Sequence, residues 1–292
     1  MSQTQPAGLV VVDKPAGLTS HDVVARVRRL ASTRRVGHAG TLDPMATGVL
    51  LVGINRATRL LGHLSLTEKA YDAVIRLGEA TTTDDAEGEI VDRSSASGLS
   101  DADVLEAMRR FEGRIEQVPS SVSAVKVDGR RAYKRVRAGE QVALAARPVT
   151  IHHIEAGPPA RHGDVVDVPV SVRCSSGTYI RAIARDLGAA LGVGGHLTAL
   201  RRTAVGPFGI DEAVELDTLA DSFRMVPIAE VARRCFPAVD LDAAQADAVA
   251  HGRALEVDVG AAGPAALFAP DGRFLALYEQ HGPVARAVAV FA

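Results

Sequence analysis

The stretch Gly37-His38-Ala39-Gly40-Thr41-Leu42-Asp43-Pro44-Met45-Ala46-Thr47-Gly48-Val49-Leu50 joins a glycine-rich turn to an apolar run. Asp43 stands before a proline, between Gly40 and Gly48, so it occupies a constrained turn. On local grounds an Asp-Pro pair starts a turn or caps the next element. A chemical role asks for more: an accessible carboxylate, a cation that keeps it ionised, and a substrate pocket.

Upstream, Gly8 to Val12 is short and β-branched and closes on Asp13-Lys14-Pro15-Ala16-Gly17, which predicts a buried strand running into a turn. A helix follows: Thr19 or Ser20 can cap it, Val23, Val24, Val27 and Leu30 share one face, and arginines occupy the other. Downstream, the run Gly48 to Ile54 and the alternation of Tyr71, Ala73, Ile75 and Leu77 predict two strands of one sheet. Val104, Leu105, Met108 and Phe111 predict a helix after the serine-rich loop 93–100. Valines at 165, 166, 168, 170 and 172 predict a strand, and Ile180, Ile183, Leu187 and Leu191 a helix, which brings the polar residues between them to one end of the sheet. From about residue 236 the character changes to an alanine-rich helix (242–250) and apolar runs joined by Pro270-Asp271-Gly272, a hairpin signal. The expectation is an α+β fold with a catalytic domain at 1–235 and a small β-rich domain at 236–292.

At 292 residues, 47% hydrophobic and 23% charged, the chain has ample material for a core and no bias toward disorder. The two cysteines, Cys174 and Cys235, fit no zinc or redox spacing and suit a reducing compartment. No apolar run reaches the length of a membrane span and the N-terminus lacks a leader pattern, so a cytoplasmic protein is expected. The net charge of -2 argues against a uniformly basic nucleic-acid binder. Charge is nonetheless segregated: Arg26, Arg28, Arg29, Arg34 and Arg35 form one basic patch, Arg130, Arg131, Lys134, Arg135 and Arg137 a second, and acid gathers from Glu79 to Asp92. Such patches permit phosphate binding, and arginines also serve simply to solvate surfaces.

Several segments in order carry a resemblance. Residues 37–50 are similar to the signature of the TruB family of tRNA pseudouridine-55 synthases. Val12 to Ser20 resembles that family's N-terminal motif, and Lys69-Ala70-Tyr71 with Leu77-Gly78 and Thr81 to Gly88 its second. Ser123 to Arg130 with Ala132-Tyr133, Cys174 to Arg181, and Leu200 to Thr203 complete the set. The resemblance implies a pseudouridine synthase fold, with a mixed, largely antiparallel sheet and a central cleft. It also implies a PUA-like RNA-binding domain at the C-terminus, a match of position, size and β content.

The same resemblance implies roles. Asp43 would be the catalytic aspartate, Arg181 its ion-pair partner, and Asp85 the acid that steadies the arginine. Tyr71 and Tyr179 would flank the target base, Leu200 would line the uracil pocket, and His38 would fill the space left by the extruded base. Lys14, Arg59, Arg201 and Arg202 would contact phosphates; some members carry lysine where Arg59 stands, which keeps the charge but not the geometry. Residues 120–140 would form a mobile loop closing over the RNA. The partner expected is the T-arm of tRNA, with no metal, no organic cofactor, no obligate protein partner and a monomeric state. Whether the aspartate bonds to base or sugar, or only stabilises charge, is left open. Rival expectations are a guide-RNA-dependent subunit and a tRNA-folding chaperone. A carboxylate glycosidase lacks a second acid in the Asp43 motif.

Overall fold

The computed structural model describes residues 6–120, 126–127, 130–131, 144–260 and 262–292. The expected closing loop at 120–140 lies mostly outside the described residues; within it, Lys126–Val127 pairs antiparallel with Arg130–Arg131.

The larger, N-terminal part of the chain is built on one mixed sheet. Along its main path the strands run Val214–Glu215, Gly8–Lys14, Thr47–Ile54, Gly195–Val205, Lys69–Leu77, Val165–Cys174, Arg147–Ala156 and Gly113–Gln117. Two junctions are parallel, Gly8–Lys14 with Val214–Glu215 and Thr47–Ile54 with Gly195–Val205; the rest are antiparallel, as expected for this fold. One face of the sheet is apolar: Val10, Val12, Leu50, Val52, Ala73, Ile75, Val168 and Val170 pack into a core with the valines of the first helix and Ile180, Ile183 and Leu187 of a later one.

The first helix, Ser20–Leu30, shows why a local sequence becomes an element. Thr19 Oγ1 accepts from Asp22 N at 3.1 Å and the Asp22 carboxylate accepts from Thr19 N at 2.9 Å, closing both ends of a capping box. Val23, Val24 and Val27 are buried, each contributing about 1.5–3 kcal/mol, whereas Arg26, Arg28 and Arg29 face solvent. Burial therefore outweighs the cap, and Thr19→Ala is expected to cost only about 1 kcal/mol, measured by denaturant unfolding. Ser20 does not cap. Buried in the interior, its Oγ accepts from Leu42 N at 2.9 Å and donates to Leu42 O at 3.2 Å, tying the helix to the Asp43 turn.

The helix Ile180–Leu191 follows the Cys174–Tyr179 turn and ends on Gly192 in the left-handed conformation (φ 73°). Gln117, almost fully buried, fixes its start: Nε2 donates to Tyr179 O at 3.0 Å and Oε1 accepts from Tyr179 N at 2.8 Å. The glycine-rich run 192–195 is thus a helix stop.

The C-terminal domain is a sheet in the order Ala238–Asp240, Ala265–Phe268, Phe274–His281, Val284–Val290, with the helix Ala243–Ala250 capped by Asp242. Its core is continuous with that of the large sheet, since Phe268, Phe274, Leu277 and Phe291 share a cluster with Leu9, Val11, Leu51 and Leu60. Arg56 donates to Phe291 O, Arg59 donates to Val290 O and lies 4.9 Å from the Phe291 ring centroid, and the Arg233 guanidinium stacks 3.9 Å over Phe268. The domain carries Arg253, Arg273 and Arg286 and no lysine, against seven carboxylates.

Candidate active site

One cross-strand row organises the site. Lys14 lies opposite Gly48, Gly48 opposite Arg202, and Arg202 opposite Tyr71, so four neighbouring strands align these residues at the end of Thr47–Ile54 where the Asp43 turn enters the sheet. Gly48 has φ 99°, and a Cβ there would sit 2.1 Å from Arg202 O. Only glycine lets the two strands approach so closely.

The charges on either side of Gly48 grip the turn. Lys14 Nζ donates to Pro44 O (3.2 Å), Leu18 O (2.7 Å) and Pro15 O (2.9 Å). Arg202 donates to Val49 O (2.7 Å), Gly40 O (3.1 Å) and Thr41 O (3.4 Å) and bonds the Tyr71 hydroxyl. Lys14 is 0% exposed and Arg202 1%. Both charges are engaged by backbone carbonyls, and both side chains reach a cavity wall, Arg202 at the Asp43 cavity and Lys14 at a neighbouring one. Burial lowers the Lys14 amine to about 8, against the pull of Asp43, which raises it.

Asp43 projects from the turn so held. Arg181 Nε lies 3.0 Å from its Oδ2, and Arg181 Nη1 lies 3.4 Å from Asp85 Oδ2 while donating to Thr83 O at 2.8 Å. The guanidinium, nearly buried, therefore bridges two carboxylates from distant loops. Asp85 is not a solvated member of the acidic stretch; it is buried, accepting from Thr83 Oγ1 at 2.5 Å and Glu87 N at 3.1 Å. The Asp43 side chain keeps 35% of its surface accessible. The surrounding protein still pushes its carboxyl above the ordinary 3.8, with Asp85 adding to the rise and Arg181 and Lys14 opposing it.

Asp43, Tyr71, Tyr179, Arg181 and Leu200 line one cavity of about 250 Å³, together with Lys69. Tyr71 and Leu200 are mostly buried on its floor, and burial raises the Tyr71 phenol above 10, so it is protonated at neutral pH. Tyr179 stands at the helix start. His38 lies on the short strand Val36–Ala39, its ring edge-on to His21 at 5.4 Å. Two expected residues lie apart. Arg201 points to another cavity and pairs with Asp13 through Nη2–Oδ2 at 2.6 Å, its side chain 41% exposed. Arg59 is held against the C-terminal domain. A larger cavity of about 750 Å³ lies on the Asp72 and Val74 side of the same sheet, lined also by Glu155 and Arg201; Asp72 accepts from the Ser171 hydroxyl at 2.7 Å and Arg201 is paired with Asp13, whereas the smaller cavity holds the Asp43–Arg181 pair.

Sequence reasoning missed Ser20, Gln117, Lys69 and the spacer role of Gly48. Gly48 carried a signal, a glycine at the start of an apolar strand; Ser20 and Gln117 depend on contacts between residues far apart in the chain, and Lys69 on its place in the cavity wall.

Family models and known relatives match the chain over nearly its whole length. The model for the TruB family pseudouridylate synthase N-terminal domain matches residues 28–180, that for the tRNA pseudouridylate synthase B C-terminal domain 181–234, and that for the tRNA pseudouridine synthase II C-terminal region 236–292. The tRNA pseudouridine synthase B of Thermobifida fusca (strain YX) is 59% identical over 289 residues, covering 98% of each chain. That of Streptomyces griseus is 56% identical over 299 residues, covering 99% of this chain and 98% of its own. Among solved structures, a chain of a Cbf5-Nop10-Gar1 complex superposes with a TM-score of 0.75 at 27% identity, covering 98% of this chain and 85% of that one. This chain belongs to the TruB family of pseudouridylate synthases.

Proposed function

We propose that the chain isomerises uridine-55 in the T-loop of tRNA to pseudouridine, with Asp43 as the reacting carboxylate. The observation that carries the reading is the Asp43–Arg181–Asp85 arrangement opening into a cavity walled by two tyrosines and Leu200. Relatives matching over nearly the whole chain are tRNA pseudouridine synthases, and tRNA pseudouridine synthesis is the activity of this family member.

The reaction breaks the bond from ribose carbon 1′ to uracil N1 and forms one from the same carbon to uracil carbon 5. The carbon 5 proton leaves and N1 gains one, so no redox partner or energy source is consumed. Ionised Asp43 assists departure of the base, by covalent attack or by facing the charge that develops on the sugar. Arg181 orients the carboxylate and favours its charged form. Tyr71 and Tyr179 offer faces on which an extruded base stacks, worth about 1–3 kcal/mol per base, and His38 fills the gap in the RNA. The exposed patch Arg26, Arg28, Arg29, Arg34 and Arg35 supplies backbone attraction. We keep the PUA-like reading of residues 236–292 for position and shape, and assign the phosphate grip to the catalytic domain, because three arginines against seven carboxylates give the C-terminal domain no basic footprint. The purified chain alone, without guide RNA or partner proteins, is expected to release tritium from 5-tritiated uridine in an unmodified tRNA transcript. Dependence on added proteins or a guide would overturn the stand-alone reading.

The charged form of Asp43 is the reactive one, so activity exists above its folded pKa and is lost as pH falls through it. Burial raises that pKa, hence the acid limb of kcat/KM is expected above 3.8. A limb at or below that value, measured on transcripts that stay folded, would contradict the assignment.

A further inference from the structure

Two cations at the Asp43 cavity have no acid to pair with. Lys69 opens the Lys69–Leu77 strand and lines the cavity beside Ser65, Gly177 and Thr178, with 7% of its surface exposed. Its Nζ donates to Ser65 O at 2.9 Å and Thr67 O at 2.8 Å. An ammonium has three hydrogens, so one donor is left over. Arg202, also lining the cavity, donates to carbonyls and to Tyr71. Among the described residues neither side chain forms an ion pair with a carboxylate.

An uncompensated buried charge is costly, at several kcal/mol per ion. Burial first, and then repulsion from Arg202, lowers the Lys69 amine to about 8. Around the cavity Arg181, Arg202 and Lys69 outnumber Asp43 and Asp85, and such an excess of positive charge between low-dielectric walls attracts an anion.

We propose that Lys69 contacts the RNA directly and holds a backbone phosphate next to the uridine seated on Asp43. The inference rests on the reading of this cavity as the uridine site. A phosphodiester is the anion that RNA brings to such a cavity, and its oxygens accept from an ammonium. Lys69 opens the Lys69-Ala70-Tyr71 motif, to whose lysine the resemblance assigned no role, and it joins the phosphate contacts expected elsewhere.

The test compares Lys69→Gln and Lys69→Arg with the wild type in the full chain on an unmodified tRNA transcript, reading KM, kcat, thermal midpoint, and the dependence of tRNA affinity on salt. Glutamine keeps a donor for the 65–67 carbonyls and removes the charge; arginine keeps both. Lys69→Gln is expected to raise KM about tenfold with kcat within about twofold, and to flatten the salt slope by about 0.7–0.9, the share of one phosphate. Lys69→Arg should retain the wild-type slope. Wild-type KM and slope in Lys69→Gln would overturn the proposal. So would a loss of kcat at unchanged KM, which would move the amine to the base, or a lowered thermal midpoint with an unchanged slope, which would make it a pin for the 65–67 turn only. A wild type that forms no pseudouridine in the transcript refutes the uridine reading itself; an active wild type with an unchanged Lys69→Gln slope refutes the Lys69 contact alone.

Discussion

Asp43→Asn is expected to abolish tritium release from 5-tritiated uridine in tRNA, a loss of about four orders of magnitude or more, while tRNA binding persists. Asparagine has the shape of aspartate but neither its charge nor its nucleophilicity, so what is lost is the reacting group. Stability should not suffer. A carboxyl whose pKa is higher in the folded protein than in the unfolded chain opposes folding at neutral pH, and burial raises Asp43 in this way. A neutral isostere removes that opposition, and Arg181 still has Asp85 and Thr83 O. The variant is therefore expected to unfold at or slightly above the wild-type temperature. Turnover by folded Asp43→Asn near the wild-type rate would remove Asp43 from the mechanism.

The second large effect is on stability. Gly48→Ala places a methyl 2.1 Å from Arg202 O at φ 99°, in the middle of the row that runs from Lys14 to Tyr71. The left-handed conformation alone costs about 1–3 kcal/mol, and forcing two central strands apart adds to it, so a loss of more than about 3 kcal/mol is expected. For a domain of this size that corresponds to a fall in Tm on the order of 10 °C, read by calorimetry or circular dichroism. Activity should fall with it, because Lys14 and Arg202, on either side of Gly48, hold the carbonyls of Pro44, Gly40 and Thr41. An alanine variant with wild-type Tm would show that the strands can separate freely there.

The reading from sequence succeeded where the determining interactions are local. The first helix was legible because its cap, its valines and its arginines follow the helical period, and it spans Ser20–Leu30. Ile180–Leu191 and the Pro270–Gly272 hairpin were legible for similar reasons. The strand Val36–Ala39, which carries His38, was not: four residues with a glycine and one β-branched side chain are a strand only because Thr47–Ile54 pairs with them. Gly195–Val205, central in the sheet, also escaped notice; its polar sequence and a register shift between Leu197 and Ala199 break the alternation that marks a strand.

The site was legible as a list and not as a geometry. Asp43, Tyr71, Tyr179 with Arg181, and Leu200 were read from four motifs, and folding brings them to one cavity. Charge alone did not tell exposure, since a lysine or arginine in a motif looks the same whether it faces solvent or, as Lys14 and Arg202 do, backbone carbonyls. Asp85 was assigned to steady the arginine and lies 3.4 Å from Arg181 Nη1, but its burial is not visible from its neighbours Asp84 and Glu87. In each case the deciding quantity is solvent exposure, which depends on contacts across the sheet.

The measurement that tests the account most directly maps pseudouridine, nucleotide by nucleotide, in an unmodified tRNA transcript treated with the purified chain. One new pseudouridine, at uridine-55 of the T-loop and absent when Asp43→Asn replaces the wild type, is the predicted result. No modification, modification elsewhere in the tRNA, or the same modification by Asp43→Asn would contradict it.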